Sequence, residues 1–298
     1  MSRFANILAV VQSRADALPV LTRATALQSQ DEGPANLHVL RVVHEGIADL
    51  PARHIDASTE LKQFVLSAEE SALEDDLAAT GIHLEHAESA TIWNRRTWEG
   101  IAHTAEAVNA DLIVKVSGTT GAAVASLRTP DDWNLLRNVS TPVLMTHGGP
   151  WMKTPAILAA IDTFDVEHEA LNERILETAA AFAQRTGAVL HIVSVYPPLG
   201  RWSAQLELLK SYDRLKADVE KDIYTEINRL TASLGLERFK VHAIEGRAEA
   251  VIQGVLDDIG GYLLVLGTKA RTGVGGLLLG NTSERLLSLL KGDVLTVS

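Results

Sequence analysis

The chain has 298 residues, 27 basic and 38 acidic side chains, a formal net charge of −11, 46% apolar residues and no cysteine. That length and composition describe a globular protein of about two domains at roughly 100–200 residues each, and the missing thiols exclude disulfides, iron–sulfur clusters, Cys-ligated zinc and thiol catalysis. The acidic balance, with no basic run longer than Arg95-Arg96, argues against a nucleic acid partner.

The first apolar run, Ile7 to Val11, stops at Gln12 and is too short for a signal-peptide core or a membrane span. A cytoplasmic address without membrane insertion is therefore expected. Leu37-His38-Val39-Leu40 reads as the next strand, and Glu69, Glu70, Glu74, Asp75 and Asp76 as a solvated helix face. His83, Glu85 and His86 are assigned to an exposed strand, where His86 points away from the other two and no metal site forms. Leu112-Ile113-Val114 and Pro142-Val143-Leu144 follow as strands, and His147-Gly148-Gly149-Pro150 is the strongest linker signal.

These runs return in the same order. Ile7–Val11 recurs at Ile157–Ile161, Leu37–Leu40 at Leu190–Val193, Leu112–Val114 at Leu263–Val265, and Pro142–Leu144 at Asp293–Leu295, at offsets of 150 to 153. The boundaries are thus residues 1–150 and 151–298. In the second half the expected elements are strand 157–162, helix 166–185 closed by Gly187, strand 188–195, helix 204–234 stopped by Gly235, strand 239–244, helix 248–259, strand 262–267, helix 281–290 and strand 293–298. Strands apolar on both faces, alternating with helices, indicate an α/β fold: two tandem domains, each a parallel sheet with helices on both faces. Ligands of such sheets sit beyond the carboxyl ends of the strands, where the strand order reverses.

One loop stands at such a place. Gly267-Thr268-Lys269-Ala270-Arg271-Thr272-Gly273-Val274-Gly275-Gly276-Leu277-Leu278-Leu279-Gly280 leaves a buried strand and enters a helix at Asn281-Thr282. Free N–H groups and the helix dipole there favour phosphate oxygens, glycines permit an anion-binding nest, and Lys269 and Arg271 supply charge. The plainer reading is a loop ending in an N-cap at Asn281 or Thr282, with Glu284 as capping partner. A Walker A loop, a dinucleotide fingerprint and a Gly-x-Ser-x-Gly elbow are all missing from the sequence.

Gly267-x2-Ala270-x9-Gly280-Asn281-Thr282 resembles the glycine signature of the universal stress proteins, and Ile161-Asp162 resembles their adenosine-contacting Asp. Arg271-Thr272-Gly273, Leu279–Glu284 and the Thr129–Arg137 segment resemble the tandem, E-type subgroup. The resemblance implies Rossmann-like (adenine nucleotide alpha hydrolase-like) domains of five strands in the order 3-2-1-4-5. It also implies an intramolecular pseudo-dimer paired through 142–147 and 293–298, with homodimerisation open. It implies ATP, ADP or AMP, with Mg2+ as an optional companion, held by Ile161, Asp162, Val193, Val195, Gly267, Thr268, Ala270, Gly273, Gly280, Asn281 and Thr282, with the backbone near Val193 and Val195 on the adenine.

Departures from the signature weaken this expectation. Ala270 puts a methyl where a second glycine belongs, at roughly 1 kcal/mol if the backbone is left-handed, and Asn281 replaces a hydroxyl. In the first half the loop is gone: Val116, Thr119 and Thr129-Pro130-Asp131 stand at the positions of Gly267, Ala270 and Gly280-Asn281-Thr282, and Gln12 at that of Asp162. Asp131 and Asp132 are expected to repel phosphate, so the first half should not hold a nucleotide.

Three smaller clusters complete the reading. Asp162, Asp165 and His168 are spaced for a metal but fit the acidic start of a helix better. His38 and His191, at equivalent positions, suggest a shared packing role. Trp93, Trp98, Trp133, Trp151 and Trp202 are scattered, and fit the core better than a small-molecule cavity in the first half. No placed general base is seen, so any hydrolysis should be slow. The function expected is a stress-response protein that binds nucleotide in its second domain. Two alternatives are a nucleotide-independent sensing or interaction module and a slow ATPase or nucleotidyl transferase.

Overall fold

In a computed structural model the chain divides into two compact units, residues 1–150 and 151–298. The structure describes residues 4–27, 36–46, 55–83, 87–118, 129–148, 156–198, 206–268, 281–289 and 292–298. The linker residues Gly149 and Pro150, the tryptophans Trp151 and Trp202, Glu85 and His86 lie outside them.

In the first unit the apolar runs become β1 (Asn6–Val10), β2 (Asn36–Val43), β3 (Ala87–Trp93), β4 (Leu112–Val116) and β5 (Val143–Thr146). All four strand pairings are parallel and give the order β3-β2-β1-β4-β5. Helices α1 (Arg14–Ala26), α2 (Ile55–Ala79), α3 (Thr97–Ala107) and α4 (Pro130–Asn138) make the crossovers. Strand β1 is central, with β2 and β4 on either side of it, and Ile7, Leu8, Ala9, Leu112, Ile113 and Val114 are each fully buried. This explains why those runs are continuously apolar rather than alternating.

The second unit repeats the plan with β6 (Ala156–Ala160), β7 (Val189–Tyr196), β8 (Phe239–Glu245), β9 (Gly261–Gly267) and β10 (Asp293–Val297). Its parallel order is β8-β7-β6-β9-β10, the same 3-2-1-4-5 arrangement. The helices are α5 (Glu169–Thr186), α6 (Leu206–Ser233), α7 (Ala248–Asp258) and α8 (Asn281–Leu289). Gly187 closes α5 at φ 67°, a left-handed conformation that costs glycine little. Gly81 and Gly235, at φ 67° and 66°, follow α2 and α6 in the same way and align the two long helices.

Three details differ from the sequence reading. The helix expected from Val166 opens as a single 3-10 turn, Val166–His168, before α5 begins at Glu169. Asp165 caps that turn, its carboxylate accepting from the Glu167 N–H at 3.0 Å. His83 belongs to the turn after α2 and not to a strand, because β3 starts only at Ala87. Trp93 closes β3, with the His44 ring edge-on at 5.6 Å and the Lys62 ammonium 5.5 Å above it.

Candidate functional site

In both units the strand order reverses between the first and fourth strands, and the carboxyl ends of β6 and β9 therefore frame the site in the second unit. Beyond β6 the chain turns at Ile161 and Asp162. Asn172, on α5 and 3% exposed, clamps this turn: its amide nitrogen donates to the Asp162 carbonyl at 2.6 Å and its oxygen accepts from the Asp162 N–H at 3.2 Å. The Asp162 side chain is about half exposed. One carboxylate oxygen accepts from the Phe164 N–H at 3.0 Å, and the other lies 3.1 Å from His168 Nδ1. Asp162 and His168 thus meet, while Asp165 is spent on its cap. Thr163 and Ser194 hydroxyls join at 2.9 Å and tie the same turn to β7.

Val193 and Val195 face this turn with their backbone. In a parallel ladder alternate residues direct N–H and C=O to one neighbour. The Val193 carbonyl accepts from the Ile161 N–H at 3.0 Å, whereas Tyr196, of opposite parity, accepts from Gly246 on the other side. Val195 has the parity of Val193, so its N–H and C=O point past the end of β6, and no described residue closes on them there.

At β9 the glycine has a packing role. A Cβ on Gly267 would fall 2.6 Å from Leu171 Cδ2 and 3.2 Å from Ile175 Cδ1, so α5 sits directly on the strand end. The Ser283 hydroxyl, in the first turn of α8, donates to the Gly267 carbonyl at 2.8 Å and ties the two stems of the loop together. The Thr268 N–H donates to Val297 at 2.8 Å, and its hydroxyl reaches Val297 O and Ser298. Its side chain is thus committed to the end of β10. Asn281 and Thr282 begin α8. Lys269, Ala270, Arg271, Gly273 and Gly280 lie outside the described residues.

Sequence reasoning did not anticipate the cleft beside Asp162. About 660 Å3 in volume, it opens between the β6–α5 turn and α6, lined by Asp162, Phe164, Glu169, Ile223, Glu226 and Arg229 among others. Phe164 and Val166 stand exposed at its mouth, 53% and 87%. Arg229 is held by Glu226 at 2.7 Å and Glu169 at 2.5 Å, whose hydrogen bonds raise its pKa further above an already high value, while the hydrogen bond from Arg229 lowers that of Glu226. The arginine is therefore neutralised within the acidic rim. The only hint in the sequence was Phe164-Asp165-Val166, two apolar residues in a polar turn.

A second unanticipated feature is a stacked histidine pair on β7 and β8. His191 and His242 lie with Nδ1 and Nε2 2.8 Å apart and rings inclined by 11°. Burial lowers both pKa values, helped by Lys240 and, for His191, by His242. His38, the counterpart of His191, lies instead 3.6 Å from Glu88, so the equivalent histidines do not share one role.

The first unit uses the equivalent edge differently. Gln12, at the position of Asp162, folds back on β2: its amide nitrogen donates to the Val42 carbonyl at 3.0 Å and its oxygen accepts from the Val42 N–H at 2.9 Å. Arg41, 3% exposed, donates to the Val11 carbonyl at 3.1 Å and to Asp76 at 2.6 Å, with Glu69 at 3.3 Å. Asp132, 1% exposed, pairs with Lys115 and accepts from the N–H groups of Gly118 at 3.0 Å and Thr129 at 2.8 Å. Burial alone would raise the Asp132 pKa. The Lys115 charge, with hydrogen bonds from Lys115, Thr129 and Gly118, outweighs it and holds the carboxyl below the usual carboxylate value.

These features define a tandem α/β protein whose two five-stranded sheets carry differently furnished carboxyl edges. Residues 155–298 match the model of the Universal stress protein family. The Universal stress protein E homolog of Haemophilus influenzae is 27% identical over 309 residues, covering 99% of this chain and 97% of that protein. Universal stress protein E of Escherichia coli K12 is 26% identical over 308 residues, covering 100% and 95%. Among solved structures, a functionally unknown protein from Pseudomonas aeruginosa is 26% identical with a TM-score of 0.70, covering 99% of this chain and 92% of that one. A putative universal stress protein from the same species is 27% identical with a TM-score of 0.68, covering 99% and 93%. Residues 155–298 thus match the universal stress protein family, and the chain is similar over its whole length to universal stress protein E.

Proposed function

We propose that the chain is a stress-response protein whose second unit binds an adenine nucleotide, ATP, ADP or AMP, at the carboxyl edge of β6, β7 and β9. The open Val195 backbone beside Asp162 carries the reading. A peptide N–H and C=O directed into the edge match the acceptor N1 and donor N6 of adenine, and a half-exposed carboxylate one turn away suits a ribose hydroxyl. The tied stems at Gly267 and Ser283 bring the start of α8, Asn281 and Thr282, to the same edge, where helix N–H groups favour phosphate. Ala270, Gly273 and Gly280 complete the phosphate loop in this reading, with Mg2+ as a companion of the phosphates. The acidic rim of the cleft near Asp162 fits the nucleoside end rather than the phosphates. The first unit is the degenerate copy.

Titration calorimetry of the full chain with ATP and Mg2+ tests this. One site per chain is expected, lost on Asp162→Ala or Gly280→Val. No heat at millimolar ATP would overturn the reading in favour of a nucleotide-independent module, and rapid turnover would favour an enzyme.

A further inference from the structure

Four polar side chains in the first unit are turned inward at the edge where the second unit is open, and two of them reproduce the chemistry of a nucleotide. The Gln12 amide presents one donor and one acceptor to the N–H and C=O of Val42, the same complementary pair that an adenine edge presents to a peptide. Val42 is the counterpart of Val195, since β2 and β7 each have eight residues and begin at Asn36 and Val189. On the β4 side, the Asp132 carboxylate accepts two backbone N–H groups, one from Gly118 at φ +76°, and meets the Lys115 ammonium. A left-handed glycine, a loop N–H and a lysine at a helix start are the parts of an anion site. Thr129 occupies the position of Gly280 and Gly118 that of Lys269, so the carboxylate sits between the positions that bound the phosphate loop in the second unit.

We infer that the first unit is an internally liganded copy, with Gln12 standing in for the adenine edge and Asp132 for a phosphate. This rests on the nucleotide reading of the second unit for the meaning of the two places, but not for the contacts that fill them. The sequence suggested that Asp132 repels phosphate; the structure shows its carboxylate held by cationic and N–H donors as an anion in its own right. Such a unit is held in one state by its own side chains, so its conformation is independent of nucleotide level. Response to nucleotide is then confined to the second unit, with one equivalent per chain.

Two variants of the full chain test the two stand-ins. Asp132→Ala removes the carboxylate and leaves a space of formate size beside Lys115. Its first unfolding transition should fall by roughly 5–15 °C, as expected when one partner of a buried ion pair is lost. Formate or inorganic phosphate, compared with chloride at equal ionic strength, should then raise it by about 3 °C more than they raise the parent chain. If Asp132→Ala is insoluble in chloride, recovery on refolding into formate or phosphate is the same readout. An equal anion response in variant and parent, or failure to fold in all three salts, overturns the carboxylate assignment. Gln12→Ala should bind one more adenosine per chain than the parent does, whatever number the parent binds. No additional site up to about 10 mM adenosine, a binding energy of only about 3 kcal/mol, overturns the amide assignment. The parent's own count reports on the second unit, so failure of the nucleotide reading and failure of this inference give different results.

Discussion

The two units share a backbone plan and differ at its carboxyl edge. Where the first has Gln12, Arg41, Lys115 and Asp132, the second has Asp162, Ser194, Leu266 and Ser283 at offsets of 150, 153, 151 and 151. In the first, Gln12 bonds the Val42 backbone, and Arg41–Asp76 and Lys115–Asp132 form two buried ion pairs. In the second, a short hydroxyl, a buried leucine and a half-exposed carboxylate leave room beside the turn. Strand order therefore fixes where a site can lie, and four side chains decide whether it is open. The charge division of the chain has another origin: residues 1–150 carry 11 basic and 19 acidic side chains against 16 and 19 in the remainder, so the halves differ in basic residues although Arg41 and Lys115 add two to the first.

The largest effect should come from putting the second unit's residue into the first. Arg41→Ser copies Ser194 but leaves Asp76, whose side chain is 12% exposed, without its cation. Breaking a buried pair from one side costs about 3–5 kcal/mol, so chemical denaturation should show a loss of that size. Aligned on Gly81 and Gly235, the partners Glu69 and Asp76 correspond to Ile223 and Leu230, which are 2% and 0% exposed. The triple change Arg41→Ser, Glu69→Ile, Asp76→Leu should therefore recover most of that loss. A triple variant as unstable as the single one would show that the two edges are not exchangeable.

The reverse exchange is smaller. Gly267→Val copies Val116 into a place where even a Cβ lies 2.6 Å from the Leu171 side chain. Overpacking of this kind costs about 1–3 kcal/mol, with Gly267→Ala at the lower end. Equal stability of Gly267→Ala and the parent would mean that Leu171 and Ile175 yield freely, and would return the glycine to a purely loop role. Thr129→Ala should come next at about 1 kcal/mol. Its hydroxyl accepts from the Asp132 N–H at 3.2 Å in a capping box that also orients the carboxylate. A thermal melt that shows no loss would mean that Lys115 and the N–H groups of Gly118 and Thr129 place Asp132 without the hydroxyl.

Most of this plan was legible before the structure. Strand positions, helix ends at Gly187 and Gly235 and the 3-2-1-4-5 order follow from apolar runs, left-handed glycines and a family resemblance. The filled edge was not. Arg41 and Lys115 were visible as charges inside apolar runs, Leu37–Val43 and Leu112–Val116, and Thr129-x-x-Asp132 as a possible cap. Their partners lie 35 and 17 residues away, on helices whose rotation the sequence does not state. An interrupted strand run followed by an acid on the next helix is the signal to seek. The Val195 backbone was named from family likeness alone; the ladder parity that opens it toward β6 needed the register.

The smallest effect separates the two units by pH. His191 and His242 face each other, with Lys240 nearby, and both have pKa values lowered from the ordinary 6.5. As pH falls through that value, the unfolded chain takes up protons that the folded pair refuses, so stability is lost with acidification and rises with pH. The window begins near the unfolded value and extends down to the lowered folded values, after which the loss stops growing. His242→Gln removes one proton site and the repulsion between rings, while its amide can still meet His191. Its second-unit melting transition should therefore fall less than the parent's between about pH 7 and pH 5. In the first unit, His38→Gln, at the counterpart of His191, removes a contact with Glu88 at 3.6 Å instead of a stacked ring, and should leave the second-unit pH slope as it was. If His242→Gln follows the parent curve point for point, the pair is not what makes the second unit sensitive to mild acid.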